Sequence, residues 1–332
     1  MIPNSLATLL REHRDRYALH YPPHGNTDHG PMTYLALHGL GASAQAIERF
    51  ATSYCKRLAP QASAGPALTA DNWHLERGRS ESYARLLAFF DTEIATQGWH
   101  SALGQYLPRL SAGAMGGALH PLIRLAFGIE FNSPPEIAAG LAFLACSADD
   151  ARTDQASARE PSALEGSAYL KSWQKYRNST FTKGPFGERC QRVLEAVRLQ
   201  PAGGSPNISC AGLRRACLEA FHATHDFFAL HLVTGSHAFR VCSPWMGPDS
   251  ERLFSVGVAT AYLAIGAPDF EPIQGGQAAL PIQALQSATD EHDIKLAYAC
   301  RAQALAYADS DYEWVAAQYL APRLGSSAIG TA

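Results

Sequence analysis

The strongest constraint on the fold is the spacing of apolar residues, which follows the period of an α-helix along most of the chain. Strand-like alternation is scarce, and glycine-containing breaks followed by serine caps separate the helical segments. Residues 210–239 form one long helical region, and its stretch 227–233 is apolar on all sides, which predicts a buried central helix. The sequence therefore predicts an all-α protein.

Two segments of the sequence resemble each other in layout. In each, a histidine (His29 or His120) opens a helix, a break containing glycine follows, and a serine-capped helix comes next. Residues 253–265 form a weaker third copy that lacks the opening histidine. We therefore expect a helical domain built from degenerate helical hairpins around a central metal site.

Length and composition set the domain organisation. A chain of 332 residues with 47% hydrophobic and 17% charged residues can bury a large core. We predict a single domain over residues 1–332, with polar surface loops near 147–166 and 200–209.

Charge and cysteine content exclude several classes of protein. The net charge is −3 and the sequence has no basic run, which argues against a nucleic-acid partner. Neither a membrane-length apolar run nor a secretory leader is present, so we expect no membrane partner and a soluble, cytoplasmic protein. The seven cysteines include no Cys-x-x-Cys pair, which is typical of reduced core residues.

One motif favours a different fold. Residues 34–43 contain a His-Gly segment similar to the oxyanion loop of α/β-hydrolases. That fold also needs a nucleophile elbow, and no serine here has glycine at both the −2 and the +2 position. We therefore interpret Gly39 and Gly41 as a helix break and Ser43 as a helix cap.

Some of the thirteen histidines are candidate metal ligands. Four lie where a helix is apolar or just beginning: His29, His120, His231 and His292. A single buried imidazole is usually a core residue whose nitrogens find hydrogen-bond partners. Four on separate helices favour a shared site, because a bundle directs its inward side chains to one centre. Nitrogen ligands suit iron, copper or zinc. Second-rank candidates are His222, His225 and His237. Polar positions, which give no such signal, hold His13, His20, His24, His74 and His100.

A lysine accompanies one of these histidines. Lys295 follows His292 by three residues, which places both on one face of a helix. Only five of the 27 basic residues are lysines, and this one lies between Ile294 and Leu296. The simpler interpretation is that its ammonium extends from a helix edge to solvent. Alternatively, a half-buried lysine loses its proton readily and becomes chemically usable.

In these segments the sequence resembles the questin oxidases, which oxidatively open anthraquinone rings in fungal polyketide pathways and have bacterial relatives. The resemblance rests on Asp28-His29, residues 35–37 and 40–43, His120–Phe131, Asp226–Thr234 and His292–Leu296. These segments span most of the chain. The sequence departs from the fungal pattern at Gly30–Thr33, where fungal members often add a histidine, and it is shorter overall.

The resemblance implies a set of metal ligands. At least one relative is a non-haem iron dioxygenase whose iron is held by four histidines and a carboxylated lysine. Carried over, the metal ligands and catalytic residues are His29, His120, His231, His292 and Lys295. General chemistry supports the lysine assignment. Only a neutral amine takes up carbon dioxide, burial lowers the pKa of a lysine, and the carbamate supplies an oxygen donor.

The resemblance implies an oxygenase that uses Fe(II) and O2 to oxidise or cleave a ring of an aromatic polyketide or quinone-type substrate, by Baeyer–Villiger-like or dioxygenolytic chemistry. Because the family is described as NADPH-linked, a monooxygenase that uses NADPH without tightly bound metal is an alternative. A non-catalytic helical ligand-binding protein is another. No Gly-x-Gly-x-x-Gly follows a strand, so the residues support neither a flavin nor a tightly bound nicotinamide. Residues expected to line an aromatic pocket are Tyr34, Phe127, Phe131, Phe227, Phe228, Trp245 and Tyr298.

Overall fold

The computed structural model describes residues 2–22, 26–114, 116–147, 166–197, 210–276 and 278–326. Within these ranges the chain is mainly α-helical, which confirms the predicted fold class. The helices are α1 (Asn4–Arg16), α2 (Gly30–Gly39), α3 (Ala44–Tyr54), α4 (Tyr83–Gln97), α5 (Trp99–Leu110), α6 (His120–Glu130), α7 (Pro134–Cys146), α8 (Gly166–Ser172), α9 (Phe186–Val197), α10 (Cys210–Thr224), α11 (Phe227–Cys242), α12 (Ser250–Ala264), α13 (Ile282–Leu285), α14 (Glu291–Tyr307) and α15 (Asp311–Ser326). The only sheet in the described ranges is an antiparallel pair of β1 (His20–Tyr21) and β2 (Asn26–Thr27).

Four helices form a closed ring of contacts. Helix α2 packs against α6, α6 against α11, α11 against α14, and α14 against α2. Every residue of α11 from Ala229 to Phe239 is buried, which confirms the predicted central helix. One hydrophobic core, running from Leu6 to Leu320, surrounds this ring. The ring brings the starts of four helices that are distant in sequence close together.

The segment that resembled an oxyanion loop is the junction between α2 and α3. Gly41 has a φ of 82°, which a glycine adopts without strain. The side-chain oxygen of Ser43 accepts a hydrogen bond from the backbone N–H of Ala46 at 3.2 Å. This confirms the helix break and cap, and no parallel sheet is present in the described part of the chain to support a hydrolase fold.

The long helical region predicted over residues 210–239 is divided into α10 and α11. His225 has a φ of 50°, a left-handed conformation that ends the first helix. The carboxylate of Asp226 then accepts hydrogen bonds from the backbone N–H groups of Phe228 and Ala229 and caps the second. The new helix start directs the side chain of His231 toward the ring.

Helices α6 and α7 pack so closely that their backbones are in contact at Gly128. A Cβ atom added at Gly128 would lie 2.7 Å from the backbone nitrogen of Ile137, so only glycine allows this approach. Beside it, a buried guanidinium group of Arg124 lies 3.1 Å from the Glu136 carboxylate. Breaking a buried ion pair of this kind by removing one partner costs about 3–5 kcal/mol. This contact fixes the position of α6, the helix that begins with His120.

The predicted surface loops fall almost wholly on residues 148–165 and 198–209, which lie outside the described ranges. The loop assignments and the single-domain boundary therefore stay predictions. Among the helices of the described residues, none combines the length and the apolar character needed to span a membrane.

Candidate metal centre

The four first-rank histidines meet at the ring of helices. His29 precedes α2 as its N-cap residue, His120 is the first residue of α6, His231 starts the second turn of α11, and His292 lies in the first turn of α14. The centroid distances are 4.5 Å between the rings of His29 and His120 and 4.6 Å between those of His29 and His292. The other two neighbouring pairs, His120 with His231 and His231 with His292, are 4.8 and 5.2 Å apart. The imidazoles therefore form a closed circle.

Backbone carbonyl groups orient two of these rings. The Nδ1 atom of His120 lies 2.6 Å from the carbonyl oxygen of Gly117, and that of His231 lies 2.7 Å from the carbonyl oxygen of Phe227. A carbonyl only accepts, so each Nδ1 carries the proton and each Nε2 is left with a lone pair. Metal-bound histidines usually have such a hydrogen bond on the other nitrogen.

These two lone pairs face each other. The Nε2 atoms of His120 and His231 are 3.1 Å apart. Burial is the main factor that lowers the pKa of each ring well below its ordinary value, so both are neutral and no proton lies between them. Two imidazole nitrogens bound at about 2.1 Å to one ion, at a right angle, would be about 3 Å apart. The donor set therefore fits a bound metal ion.

The remaining two histidines, His29 and His292, lie beside this pair. One donor atom from each of His29, His120 and His292 can be chosen so that all lie within 4.8 Å of one another. Burial is again the first cause that lowers the pKa of His29 and of His292. All four rings are therefore neutral, which is the form in which a histidine can bind a metal ion.

Lys295 is part of the same cluster. Its side chain is 2% exposed, and its Nζ atom lies 2.6 Å from Nδ1 of His29. Burial lowers the pKa of this lysine to about 7, although the charges of Glu291 and Asp290 act in the opposite direction. The N-terminal ends of four helices also meet here, and their dipoles disfavour an ammonium and favour an anion. The amine is therefore available in its neutral form near neutral pH.

An acidic residue supports His292. Asp290 caps α14 by accepting a hydrogen bond from the backbone N–H of His292 at 2.8 Å, and its carboxylate lies 3.4 Å from Nδ1 of the same residue. Burial opposes the charge of Asp290, but the hydrogen bonds from His292 lower its pKa. The next residue, Glu291, contacts Arg57 at 2.7 Å. This acidic turn contacts the imidazole of His292 through its Nδ1 atom.

The second-rank histidines make other contacts. Nε2 of His237 lies 2.9 Å from a carboxylate oxygen of Glu130. Six residues after His231 on a helix is a rotation of about 240°, which turns His237 away from the cluster. The ring of His225 packs 5.3 Å from that of Tyr319. The structure thus brings together the first-rank set and none of the second-rank residues.

The predicted aromatic pocket is not a single feature. The ring of Phe227 lies 4.7 Å from those of His231 and His292 and is 49% exposed, and Phe228 packs beside it. The other five are placed elsewhere, since their contacts are to core residues. Phe127, Phe131 and Tyr298 pack on one another, Tyr34 packs on His13, and Trp245 packs on Trp99.

An apolar cavity adjoins the cluster instead. It lies between α9 and α12, encloses about 910 Å³ of space including its mouth, and has Gly117, Ala118 and Leu119 as one wall. These three residues have φ values of 55°, 53° and 68°, a left-handed run that is strained at Ala118 and Leu119. The carbonyl group that orients His120 belongs to this wall. Phe186, which stacks on Phe228 at 4.1 Å, forms part of another.

Sequence reasoning missed the groups that orient the ligands. The carbonyl groups of Gly117 and Phe227 have no side-chain signature, so no sequence pattern marks them. Asp290 did have a signal, because it precedes the acidic first turn of α14 and is a favoured helix cap.

Comparison with known proteins gives a consistent result. The family model described as questin oxidase-like matches residues 27–300. The Baeyer-Villiger oxidase ptaJ of Pestalotiopsis fici is 26% identical over 202 residues, which cover 57% of this chain and 42% of that protein. The questin oxidase of Aspergillus terreus is 30% identical over 149 residues, covering 41% of this chain and 33% of the relative. The Baeyer-Villiger oxidase notM of an Aspergillus species is 25% identical over 230 residues, covering 66% and 49%. The matched regions thus span half or less of these relatives.

Proposed function

The chain belongs to the questin oxidase-like family, and from this we propose that it is an oxygenase that acts with O2 on a ring of an aromatic polyketide or quinone-type substrate. The relatives named questin oxidase and Baeyer-Villiger oxidase support the reaction class. Ring cleavage and insertion of oxygen beside a carbonyl are the two forms of the reaction to be distinguished.

The observation that carries the proposal is the pair of Nε2 lone pairs of His120 and His231, 3.1 Å apart. We propose that these two residues, with His29 and His292, hold a non-haem Fe(II) ion. When bound, such an ion activates dioxygen toward an electron-rich ring, which reacts with oxygen slowly on its own. The protein contributes neutral, oriented nitrogen donors and a site from which water is largely excluded.

We propose that Lys295 is carboxylated and supplies the oxygen donor. Its neutral amine attacks carbon dioxide, an N–C bond forms, and one proton leaves to solvent. The resulting carbamate carries a negative charge that offsets part of the charge of the metal and is favoured by the surrounding helix starts. The 2.6 Å separation from His29 supports a position beside the same ion.

We propose that the cavity between α9 and α12 receives the apolar rings of the substrate. Its lining is mainly apolar, as in sites that bind small molecules. The exposed face of Phe227, against two of the cluster histidines, offers a surface on which a planar ring can stack.

Oxygen uptake tests this function. Protein loaded anaerobically with Fe(II) is mixed with a hydroxylated anthraquinone and O2, with and without NADPH, and the product is analysed by mass spectrometry. The proposal predicts uptake that requires iron and a product that gains one or two oxygen atoms. Full activity of metal-free protein with NADPH would instead support the monooxygenase alternative. Binding of the anthraquinone without turnover in every arm would support a ligand-binding protein.

A further inference from the structure

A second cluster of reactive side chains, which includes none of the proposed ligands, lies next to them where α1, α2 and the end of α3 meet. The Sγ atom of Cys55 is 3.6 Å from Nδ1 of His13, and Nε2 of His13 is 2.8 Å from a carboxylate oxygen of Asp28. The hydroxyl group of Tyr34 lies 2.9 Å from the same Nδ1 atom and 3.5 Å from Sγ. A thiol, a base beside it and a carboxylate that orients the base form the arrangement of an activated nucleophile.

The proton distribution in this cluster follows from its contacts. Burial opposes a charge on His13, but the Asp28 carboxylate outweighs it and raises the pKa of His13 to about 9. The imidazolium therefore donates to Asp28 through Nε2 and to the Tyr34 oxygen through Nδ1. The O–H of Tyr34 is then free to donate to Sγ. Although burial acts against a thiolate, the contacts of Sγ with His13 and Tyr34 and the charge of His13 lower the pKa of Cys55 below its ordinary value.

Cys55 is reachable from solvent, unlike Cys146, Cys217, Cys242 and Cys300, which are buried. It lines a surface cavity of about 830 Å³, including its mouth, together with His13. The other titratable or charged residues that line this cavity are Glu12, Arg16, Tyr17, Glu48 and Lys56. Such a mixed polar rim suits a small polar reactant better than an aromatic one.

We propose that Cys55, His13 and Asp28 form a second reactive site, in which the Cys55 thiolate is oxidised by hydrogen peroxide. The thiolate sulfur attacks one peroxide oxygen, an S–O bond forms, and the O–O bond breaks. The sulfur is oxidised to a sulfenic acid and the peroxide is reduced. The attacked oxygen keeps its hydrogen, so the product is the sulfenic acid, and the leaving hydroxide takes a proton from the His13 imidazolium and departs as water. Asp28 acts as a positioning residue that keeps the imidazole charged.

The test is the pH dependence of sulfenic acid formation. The folded protein is treated with hydrogen peroxide and dimedone in a buffer that contains a chelator, and adducts are located by peptide mass spectrometry. At pH 6.5 an ordinary thiol is only about 1% thiolate. We therefore expect Cys55 to react about tenfold faster than free cysteine at this pH, with a rate that rises less steeply between pH 6 and 8 than the rate of free cysteine. A rate that rises about tenfold per pH unit up to 8.5, or no adduct at Cys55, would overturn the proposal.

Variants separate reactivity from a purely structural role. In Asp28→Asn the rate at pH 6.5 should fall about tenfold and regain a steep pH dependence, and in Cys55→Ser the adduct should vanish. Iodoacetamide alkylation of the unaltered protein gives a second readout that needs no oxidant, and its rate should show the same shallow dependence on pH. If Asp28→Asn does not fold, Tyr34→Phe replaces it. Loss of the hydroxyl contact with Sγ should slow the reaction of Cys55 at pH 6.5, and the pH dependence of the unaltered protein remains the main test. Equal rates and profiles in the unaltered protein and a folded Asp28→Asn variant would contradict the role of the His13–Asp28 pair.

Discussion

Two groups of buried histidines lie side by side in this protein and have opposite protonation. Burial opposes a charge on His13, but the carboxylate of Asp28, 2.8 Å away, outweighs this effect and keeps the imidazole charged. His120 and His231, which contact backbone carbonyls and each other, are held neutral. All three are at least nine-tenths buried. The comparison shows that the partner of a buried imidazole, and not burial alone, decides whether it stores a proton or offers a lone pair.

The two groups are joined by a single peptide bond. Asp28 belongs to the charged group and the adjacent His29 to the neutral one, so the start of α2 separates them. Gly30 makes this possible, because a Cβ atom at that position would lie 2.4 Å from the ring of His13. The predictions below alter one residue of each group and test whether the charged group and the neutral group respond differently.

The largest effect is expected from removing a neutral imidazole. His231→Ala should weaken metal binding by more than about 100-fold, because a ligand is lost and the lone pair of His120 loses its counterpart. Titration against a competing chelator measures this. His74→Ala, at an exposed histidine, is the matched control and should bind metal normally. If the two variants bind metal with equal affinity, His231 is not a metal ligand.

A smaller effect is expected from removing the charge that holds His13. The pKa of His13 is about 9 in the folded protein, above the ordinary 6.5. The pair therefore stabilises the fold fully below about pH 6.5, and this contribution is lost as the pH rises through 9. Asp28→Asn should lower the free energy of unfolding by up to about 3 kcal/mol at pH 6 and by much less above pH 9.

Denaturant unfolding at a series of pH values measures this loss. Asp91→Asn is the control, because it removes the partly exposed carboxylate that pairs with Arg14, the neighbour of His13 in α1. This variant should change the free energy of unfolding by the same amount at pH 6 and at pH 9.5. If the loss of unfolding free energy in Asp28→Asn does not depend on pH, His13 is neutral, as His120 and His231 are.

The smallest effect is expected from Asp290, which supports a ligand without being one. Asp290→Ala should weaken metal binding about tenfold and lower stability by about 1 kcal/mol, because it removes a helix cap and the carboxylate beside His292. Ser43→Ala removes the cap of α3, a helix that carries no ligand, and should cost similar stability with unchanged metal affinity. If both variants bind metal equally, the carboxylate has only its structural role.

The sequence predicted the fold class and the first-rank histidines because apolar spacing and apolar flanking residues are local signals. It could not predict the carbonyl contacts of His120 and His231, which depend on a left-handed backbone run at 117–119 and on a helix start at 227. His13 was missed for a different reason. It stood among polar residues, yet it continues the buried stripe of Leu6 and Leu10 along α1, a helical spacing that is visible in the sequence.

If the neutral histidines and Lys295 bind one metal ion, the protein takes up one equivalent of metal, which can be measured. Protein is loaded anaerobically with Fe(II) in bicarbonate buffer, freed of unbound metal and examined by elemental analysis, beside Lys295→Ala and the exposed control Lys175→Ala. We predict about one iron per chain in the unaltered protein and in Lys175→Ala, and a weakened site in Lys295→Ala. Less than about a tenth of an equivalent of iron in folded, unaltered protein, with other divalent metals equally absent, would contradict the account.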